Sequence, residues 1–159
     1  MQYNIFSDFL SRFRIAYLIQ KKTSVIIRRS RFILHILEIL YKAGYISGYK
    51  FLHKIDLENK INGKKDARFS KFIYNEKHHR GYFYIEIFFK YQDGFPLFNE
   101  ISEIGTSVTP IFLPKHLILK NYPFSIFTVL STSRGIITNR DYIFNDTLKM
   151  GGRVLFTIK

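Results

Sequence analysis

Three small hydroxyl side chains stand together near the carboxyl end of the chain and are followed at once by a cation and a glycine. The residues are Ser131, Thr132, Ser133, Arg134 and Gly135. Hydroxyl groups both donate and accept hydrogen bonds, so this run has the chemistry to contact phosphates, 2′-hydroxyls and base edges. The guanidinium adds a planar fork of donors, and the glycine lets the backbone approach a ligand closely. These residue types fit a nucleic-acid ligand and an ordinary serine-rich turn equally well.

The sequence on either side predicts that this run connects a buried strand to a helix. Apolar residues dominate positions 125–131, which is typical of a core strand. Thr138 followed by Asp141 has the spacing of a capping box, so a helix is expected to begin near Thr138 and to end at the glycine pair 151–152. Such a helix would present free backbone amides to an anion, with Arg140 in its first turn.

Catalysis and metal binding have little support in the residue pattern. Ser131 or Ser133 could act as a nucleophile with His116 as base, but the run lacks the Gly-x-Ser-x-Gly elbow that positions a hydrolase serine. His78 and His79 are adjacent in a basic stretch without nearby carboxylate spacing, which is more typical of solvated side chains than of a metal site. The chain has no cysteine, so disulfides and thiolate metal sites are excluded. We therefore expect no enzymatic activity, no cofactor, no bound metal and no small-molecule substrate.

The charge balance indicates a polyanionic partner. The 159 residues carry a formal net charge of +13 and the sequence pI is about 9.9. This excess favours nucleic acid or an anionic membrane surface. No apolar run approaches the roughly 18 residues of a membrane span. The first 31 residues are basic and poor in acids, and their arginines are Arg12, Arg14, Arg28, Arg29 and Arg31.

Hydrophobic periodicity divides the first part of the chain into alternating helices and strands. Helical spacing of apolar residues predicts an amphipathic helix over 4–19, with Asn4 as its N-cap. A second helix is predicted with Ser30 as its N-cap and Gly44 as its C-terminal stop. Strands are expected at 23–28, 45–54 and 82–91, the last with one continuous apolar face. A polar stretch at about 55–80 is predicted to be a long insertion at a hairpin tip.

The segment Asp93–Pro96 carries a turn signal and is the predicted boundary between two lobes. The N-terminal lobe, 1–94, has the predicted order α-β-α-β-β. The C-terminal lobe, 95–159, is expected to be a mostly antiparallel, β-rich RNA-binding lobe with short helices, one of them after Pro114. Its strands are expected at 97–104, 108–113, 125–131 and 153–158. The predicted fold class is therefore α+β.

Residues 131–140, Ser-Thr-Ser-Arg-Gly-Ile-Ile-Thr-Asn-Arg, resemble the signature of the small-subunit ribosomal protein S8 family. That signature is typically Ser-Thr-Ser-Lys-Gly-(Val/Ile)-(Met/Leu)-(Thr/Ser)-Asp-(Lys/Arg). The glycine pair and strand at 151–158 are similar to the family's C-terminal end, and Asp8–Arg14 is similar to its first helix. The chain departs from the family at several places. Ile15 and Ala16 follow Arg14 where the family usually has Asn, Asn139 replaces an acid, and residues 102–107 lack the arginine of the family's Ser-(Lys/Arg)-Pro-Gly-x-Arg segment. The insertion at about 55–80 has no counterpart role in the family.

The resemblance implies a structural constituent of the small ribosomal subunit that binds a helical junction in the central domain of the rRNA and supports its assembly. Neighbouring small-subunit proteins would be further partners, and the N-terminal arginines would contact phosphates. The residues implied at the RNA surface are Ser131, Thr132, Ser133, Arg134, Gly135 and Arg140. The rival interpretation is a basic peripheral membrane or protein-interaction module, which would use the amphipathic helix at 4–19.

Residue usage also bears on location. Ile, Phe, Tyr, Lys and Asn are abundant, and their codons are rich in A and T, which is typical of some organellar genomes. We therefore expect a mitochondrial ribosome, with another organellar or bacterial-type ribosome as the alternative. The acid-poor N-terminus is also typical of a mitochondrial transit peptide, but the similarity of Asp8–Arg14 to the family's first helix favours its retention in the mature protein.

Overall fold

The computed structural model describes residues 4–19, 22–53, 82–105, 108–144 and 150–159. Its helices are α1 (Ile5–Arg14), α2 (Arg31–Lys42), α3 (Lys115–Asn121) and α4 (Asn139–Phe144), and a π-helical segment, Ile15–Ile19, continues α1. Its strands are β1 (Ser24–Arg28), β2 (Ile46–His53), β3 (Tyr82–Phe89), β4 (Tyr91–Gln92), β5 (Phe95–Pro96), β6 (Ile101–Glu103), β7 (Phe112–Leu113), β8 (Phe127–Thr132), β9 (Gly135–Thr138) and β10 (Gly152–Ile158). This mixture confirms the predicted α+β class. The predicted insertion at about 55–80, with its paired histidines, lies outside the described residues.

The ends of α1 and α2 follow largely from the local sequence. The Asn4 side chain accepts hydrogen bonds from the amides of Phe6 and Ser7, at 3.2 and 3.4 Å, so the predicted N-cap is confirmed. Ser30 holds the N-cap position of α2, but its side chain makes no capping hydrogen bond to the described residues, so that part of the prediction was wrong. Gly44 follows α2 with a φ of +82°, a left-handed conformation that glycine adopts without strain.

β1, β3 and β2 form an antiparallel sheet with β3 in the middle. Ile85 and Ile87 of β3 are fully buried and Phe89 nearly so, which confirms that the odd-numbered side of this strand faces the core. On the opposite side the Glu86 carboxylate is buried, with the Lys50 ammonium 3.0 Å away on β2. These two residues are directly opposite each other, so their ion pair ties β2 to β3 in this register.

The second sheet has the strand order β6-β10-β8-β9, and β7 also pairs with β10. β9 was not predicted, because residues 135–138 were expected to lead directly into a helix. The predicted capping box is confirmed. The Thr138 amide and hydroxyl both donate to one Asp141 carboxylate oxygen, at 2.6 and 2.8 Å, at the start of α4. The glycine pair at 151–152 leads into β10.

The hairpin between the two predicted lobes has the turn that its sequence indicates. Asp93 and Gly94 connect β4 to β5 with φ values of +51° and +80°, as a type I′ turn requires. Beyond this hairpin, β6 and β7 are much shorter than the strands predicted at 97–104 and 108–113. The predicted short helix after Pro114 is α3.

The main hydrophobic core draws side chains from both sides of the predicted lobe boundary. The ring of Phe13 stacks on that of Phe98 with centroids 6.2 Å apart, and the Tyr45 ring meets that of Phe127 at 5.0 Å. The boundary stays a prediction, and the aromatic core crosses it.

Burial raises the pKa of the Tyr142 phenol above its ordinary value, so this ring stays neutral. It belongs to a smaller cluster next to the hydroxyl run: Ile118, Leu130, Tyr142 and Val154.

Candidate nucleic-acid interface

The hydroxyl run lies at the closed end of the β8–β9 hairpin. Ser131 and Thr132 are the last residues of β8, Gly135 is the first of β9, and Ser133 and Arg134 form the turn between them. Gly135 has a φ of +112°, a conformation that L side chains rarely adopt. The run is therefore a hydrogen-bonded hairpin end and not the direct connection from a strand to a helix that the sequence predicted.

The threonine of the run stabilises the turn itself. The Thr132 hydroxyl accepts a hydrogen bond from the Arg134 amide at 3.2 Å and donates one to the Gly135 carbonyl at 3.0 Å. Both bonds are local, of the kind by which hydroxyl side chains fix tight turns. Thr132 therefore positions its neighbours, because its own hydroxyl is already used within the hairpin.

The two serines differ from this threonine. The Ser133 hydroxyl is exposed and donates to the Met150 sulfur at 3.4 Å. Ser131 is half-buried, and its hydroxyl has no hydrogen-bond partner within the part of the chain that the structure describes. The Ser131 hydroxyl is therefore available to an outside ligand. The Ser133 hydroxyl is available as well, because a thioether is only a weak acceptor and a stronger acceptor can replace it.

β10 packs closely behind the run at a pair of glycines. A Cβ on Gly152 would lie 2.9 Å from the Thr132 Cγ2 and 3.0 Å from the Ser131 carbonyl oxygen. A Cβ on Gly151 would lie 2.5 Å from the Leu113 carbonyl oxygen. Only glycine allows these approaches without movement of the neighbouring chain. Gly152 therefore sets the position of β10 behind the hairpin end, and Gly151 allows the close approach to the end of β7.

Replacing Gly152 with valine is expected to destabilise the fold by about 1–3 kcal/mol, the usual cost of forcing atoms into a packed site. Urea unfolding measures the loss. The matched control is Gly94→Asn, because an added Cβ at Gly94 meets nothing within 4 Å and asparagine tolerates its φ of +80°. Equal stability of Gly152→Val and the parent protein would contradict the close packing.

Asn139 joins the start of α4 to the chain that leads into β8. Its side chain is fully buried, and its Oδ1 accepts a hydrogen bond from the Thr128 amide at 3.1 Å. Its Nδ2 donates to the carbonyls of Tyr122, Pro123 and Ile126 at 3.1, 3.0 and 2.8 Å. A carboxylate has no hydrogen to donate to these carbonyls, so an amide suits this position in this chain.

Two of the predicted phosphate-binding arginines are already engaged on α1. Arg12 forms an ion pair with Asp8 at 2.9 Å, one helical turn earlier. Arg14 donates a hydrogen bond to the Ile101 carbonyl and so connects α1 to β6. Arg12 keeps an exposed guanidinium, but Arg14 has a structural contact that a nucleic-acid ligand would have to share.

Two other predicted arginines lie over aromatic rings. The Arg29 guanidinium is 5.5 Å from the centroid of the Phe51 ring. That of Arg140 is 4.7 Å from the Phe124 ring centroid and 5.3 Å from that of Phe127, so this arginine packs the first turn of α4 against the start of β8. The remaining predicted arginines are exposed, with guanidinium groups that have no partner among the described residues: Arg28, Arg31 and Arg134.

The described residues do not assemble a catalytic or metal site. His116 is exposed on α3, and neither Ser131 nor Ser133 forms a hydrogen bond with it within the described ranges. Among those residues, no three His, Asp or Glu side chains are arranged to hold a metal ion. None of the helices described is both long and apolar enough to cross a membrane. The geometry is that of a firmly held polar hairpin end, which is suited to binding.

Similarity to known proteins extends over nearly the whole chain. A family model described as Ribosomal protein S8 matches residues 4–158. This chain belongs to the ribosomal protein S8 family. The small ribosomal subunit protein uS8 of Bradyrhizobium sp. strain BTAi1 is 31% identical over 153 residues, which cover 96% of this chain and 94% of the relative. The uS8m protein of Acanthamoeba castellanii is 27% identical over 158 residues, which cover 98% of each chain.

Membership of the S8 family gives the protein a structural role in the ribosome and no enzymatic one, as the sequence predicted. Sequence reasoning missed three features of the hairpin end: the bracing role of Thr132, the buried network of Asn139 and the contact of Met150. The departure of Asn139 from the family's acid was a signal for the second. The bracing role of Thr132 had a local signal, because a hydroxyl residue shortly before a glycine commonly fixes a tight turn. The Met150 contact had no signal in the local sequence, because it joins residues 17 positions apart in the chain.

Proposed function

We propose that this S8 protein is a constituent of the small ribosomal subunit and that its β8–β9 hairpin end binds a helical junction in the central domain of the rRNA. The observation that carries the proposal is the hydrogen bonding at the hairpin end. The Thr132 hydroxyl holds the turn, so the Ser131 and Ser133 hydroxyls remain for an outside partner, and the exposed Arg134 lies beside them. Folded RNA is recognised through its shape, 2′-hydroxyls and splayed bases, and short hydroxyls on a fixed backbone fit such a surface. Neighbouring small-subunit proteins are its further partners.

The residues of the hairpin end contribute in different ways to this proposed contact. Ser131 and Ser133 exchange hydrogen bonds with the RNA minor groove and unpaired bases, and Arg134 contacts the phosphate backbone of the RNA. Thr132 acts mainly by holding the turn, and Gly135 acts mainly by letting the RNA approach the protein backbone. Arg140 packs on Phe124 and Phe127 at the start of β8, so it would add positive charge at some distance from the turn.

The positive charge of the chain supplies the part of the affinity that does not depend on sequence. The formal net charge is +13, and each phosphate that a lysine or arginine neutralises releases a counterion. If about 5–7 phosphates are neutralised, log K should fall with log salt at a slope of about −4 to −6. Candidate contacts include the N-terminal arginines Arg12, Arg14, Arg28, Arg29 and Arg31.

Replacing Arg28 and Arg31 with glutamine is expected to flatten this slope by about two units, about one for each lost phosphate contact. The same change at Arg12 and Arg14 should flatten it less, because both are already engaged within the protein. Titration of the rRNA fragment at several salt concentrations measures the slope. The control is Lys42→Gln, since the Lys42 ammonium already forms an ion pair 2.9 Å long. An unaltered slope for the Arg28 and Arg31 variant would show that these arginines face away from RNA.

Crosslinking in cells tests the proposed function directly. The tagged chain is crosslinked by ultraviolet light, purified under denaturing conditions, and the attached RNA is sequenced. Reads concentrated at one junction of the central domain are expected. Reads spread evenly over rRNA, or drawn mainly from other RNA, would contradict the proposal.

We place the protein in a mitochondrial ribosome, with another organellar or a bacterial-type ribosome as the alternative. The support is the mitochondrial relative from Acanthamoeba castellanii together with the AT-rich codon usage that the residues imply. Sedimentation of the tagged chain with small subunits from purified mitochondria tests this location. Flotation with anionic vesicles tests the rival membrane role, because binding to vesicles without any preference for rRNA would favour that role.

A further inference from the structure

A methionine thioether lies against the hydroxyl run. The Met150 sulfur accepts the hydrogen bond of the Ser133 hydroxyl at 3.4 Å. The rest of this side chain packs, half-buried, against the small cluster that contains Leu130 and Tyr142. A thioether is a weak acceptor, so it orients the serine hydroxyl and still releases it easily to a stronger partner.

Oxidation of this sulfur would change the contact. A peroxide transfers one oxygen atom to the methionine sulfur, which becomes the sulfoxide, while the peroxide is reduced to water or an alcohol. The sulfoxide oxygen is polar and accepts hydrogen bonds far better than the thioether does. It would therefore hold the Ser133 hydroxyl within the protein and place a polar group at the edge of an apolar cluster.

We propose that Met150 is an oxidation site at which conversion to the sulfoxide weakens rRNA binding by withdrawing the Ser133 hydroxyl. This inference rests on the proposed function of the hairpin end. A small oxidant can reach the site, because the Met150 side chain is only half-buried and its sulfur contacts the exposed Ser133. The chain has no cysteine, and its two methionines are Met1 and Met150, so few other side chains compete for the oxidant.

Peroxide treatment of the full chain tests the inference. The protein is incubated with hydrogen peroxide, freed of it, and titrated with a central-domain rRNA fragment, while peptide mass spectrometry locates the added oxygen. Oxidation is expected to weaken binding about three- to tenfold, the equivalent of one modest hydrogen bond. Methionine sulfoxide reductase should restore the affinity.

Two matched variants separate this mechanism from a general loss of structure. Met150→Leu keeps the apolar volume and retains Met1, so its affinity should not respond to peroxide. Ser133→Ala lacks the hydroxyl, so oxidation of Met150 should cost it no further affinity. Affinity that falls equally on oxidation of Ser133→Ala would overturn the inference, because the effect would then not pass through the hydroxyl.

Different experimental results would overturn the Met150 oxidation site and the proposed function. Equal rRNA affinity of the reduced and the oxidised parent protein, with the preference for the fragment intact, would overturn the oxidation site and leave the proposed function standing. A reduced parent protein with no preference for the fragment would overturn both.

Discussion

Replacing both Ser131 and Ser133 with alanine is expected to weaken binding to the central-domain rRNA fragment by about 2–4 kcal/mol, about 1–2 for each lost hydrogen bond. Neither hydroxyl braces the hairpin, because Thr132 makes the bonds across the turn. The thermal stability of the double variant should therefore change little. Binding is measured by titration at one fixed salt concentration, since affinities for RNA depend strongly on salt.

Two further variants sharpen this measurement. Ser125→Ala removes another exposed serine, just before the opposite end of β8, and should bind as tightly as the parent protein. Thr132→Val removes the bracing hydroxyl and should lower both stability and affinity, because the turn loses both hydrogen bonds. Unchanged affinity of the Ser131 and Ser133 variant would contradict the assignment of these hydroxyls to the RNA surface.

Replacing Asn139 with aspartate is expected to cost about 3–5 kcal/mol of folding stability at neutral pH, the range for an uncompensated buried charge. The substitution keeps the shape of the side chain. It turns the donor that serves Tyr122, Pro123 and Ile126 into an oxygen that faces their carbonyls. Urea unfolding of the free protein measures the change, so RNA binding plays no part in the result.

The pH dependence of this loss has a definite sign. Burial among carbonyls would raise the pKa of the introduced aspartate in the folded protein above its value of about 3.9 in the unfolded chain. The variant should therefore lose stability relative to the parent as pH rises from about 3.9 through the folded pKa, and recover at lower pH. Asn121→Asp, at the exposed end of α3, is the matched control and should be nearly neutral. An equally small loss of folding stability in Asn139→Asp would contradict the buried hydrogen-bond network of Asn139.

The elements that the sequence predicted well are those whose cause is local. The cap of α1 by Asn4, the capping box of Thr138 and Asp141 and the alternating burial of β3 all follow from spacing within one element. The run of residues at 131–140 was enough to indicate the family, because its residue types and order are specific.

The features that the sequence did not predict arise from contacts between distant segments. β9 is a strand because it pairs with β8, and its four residues are too short to show a periodicity of their own. Arg140 was assigned to RNA from its place at the end of the family signature, whereas its position over Phe124 and Phe127 depends on the packing of α4 against the start of β8. The contact between Ser133 and Met150 was not predicted either, because these residues are 17 positions apart in the chain.

The proposed function requires that the hairpin end recognise one RNA surface in preference to negative charge in general. The most direct measurement is competition at a single salt concentration between the central-domain rRNA fragment and a duplex of the same length and charge that lacks the junction. A clear preference for the junction, which is lost in the Ser131 and Ser133 double variant, is expected. Equal binding of both RNAs by the parent protein would contradict the account.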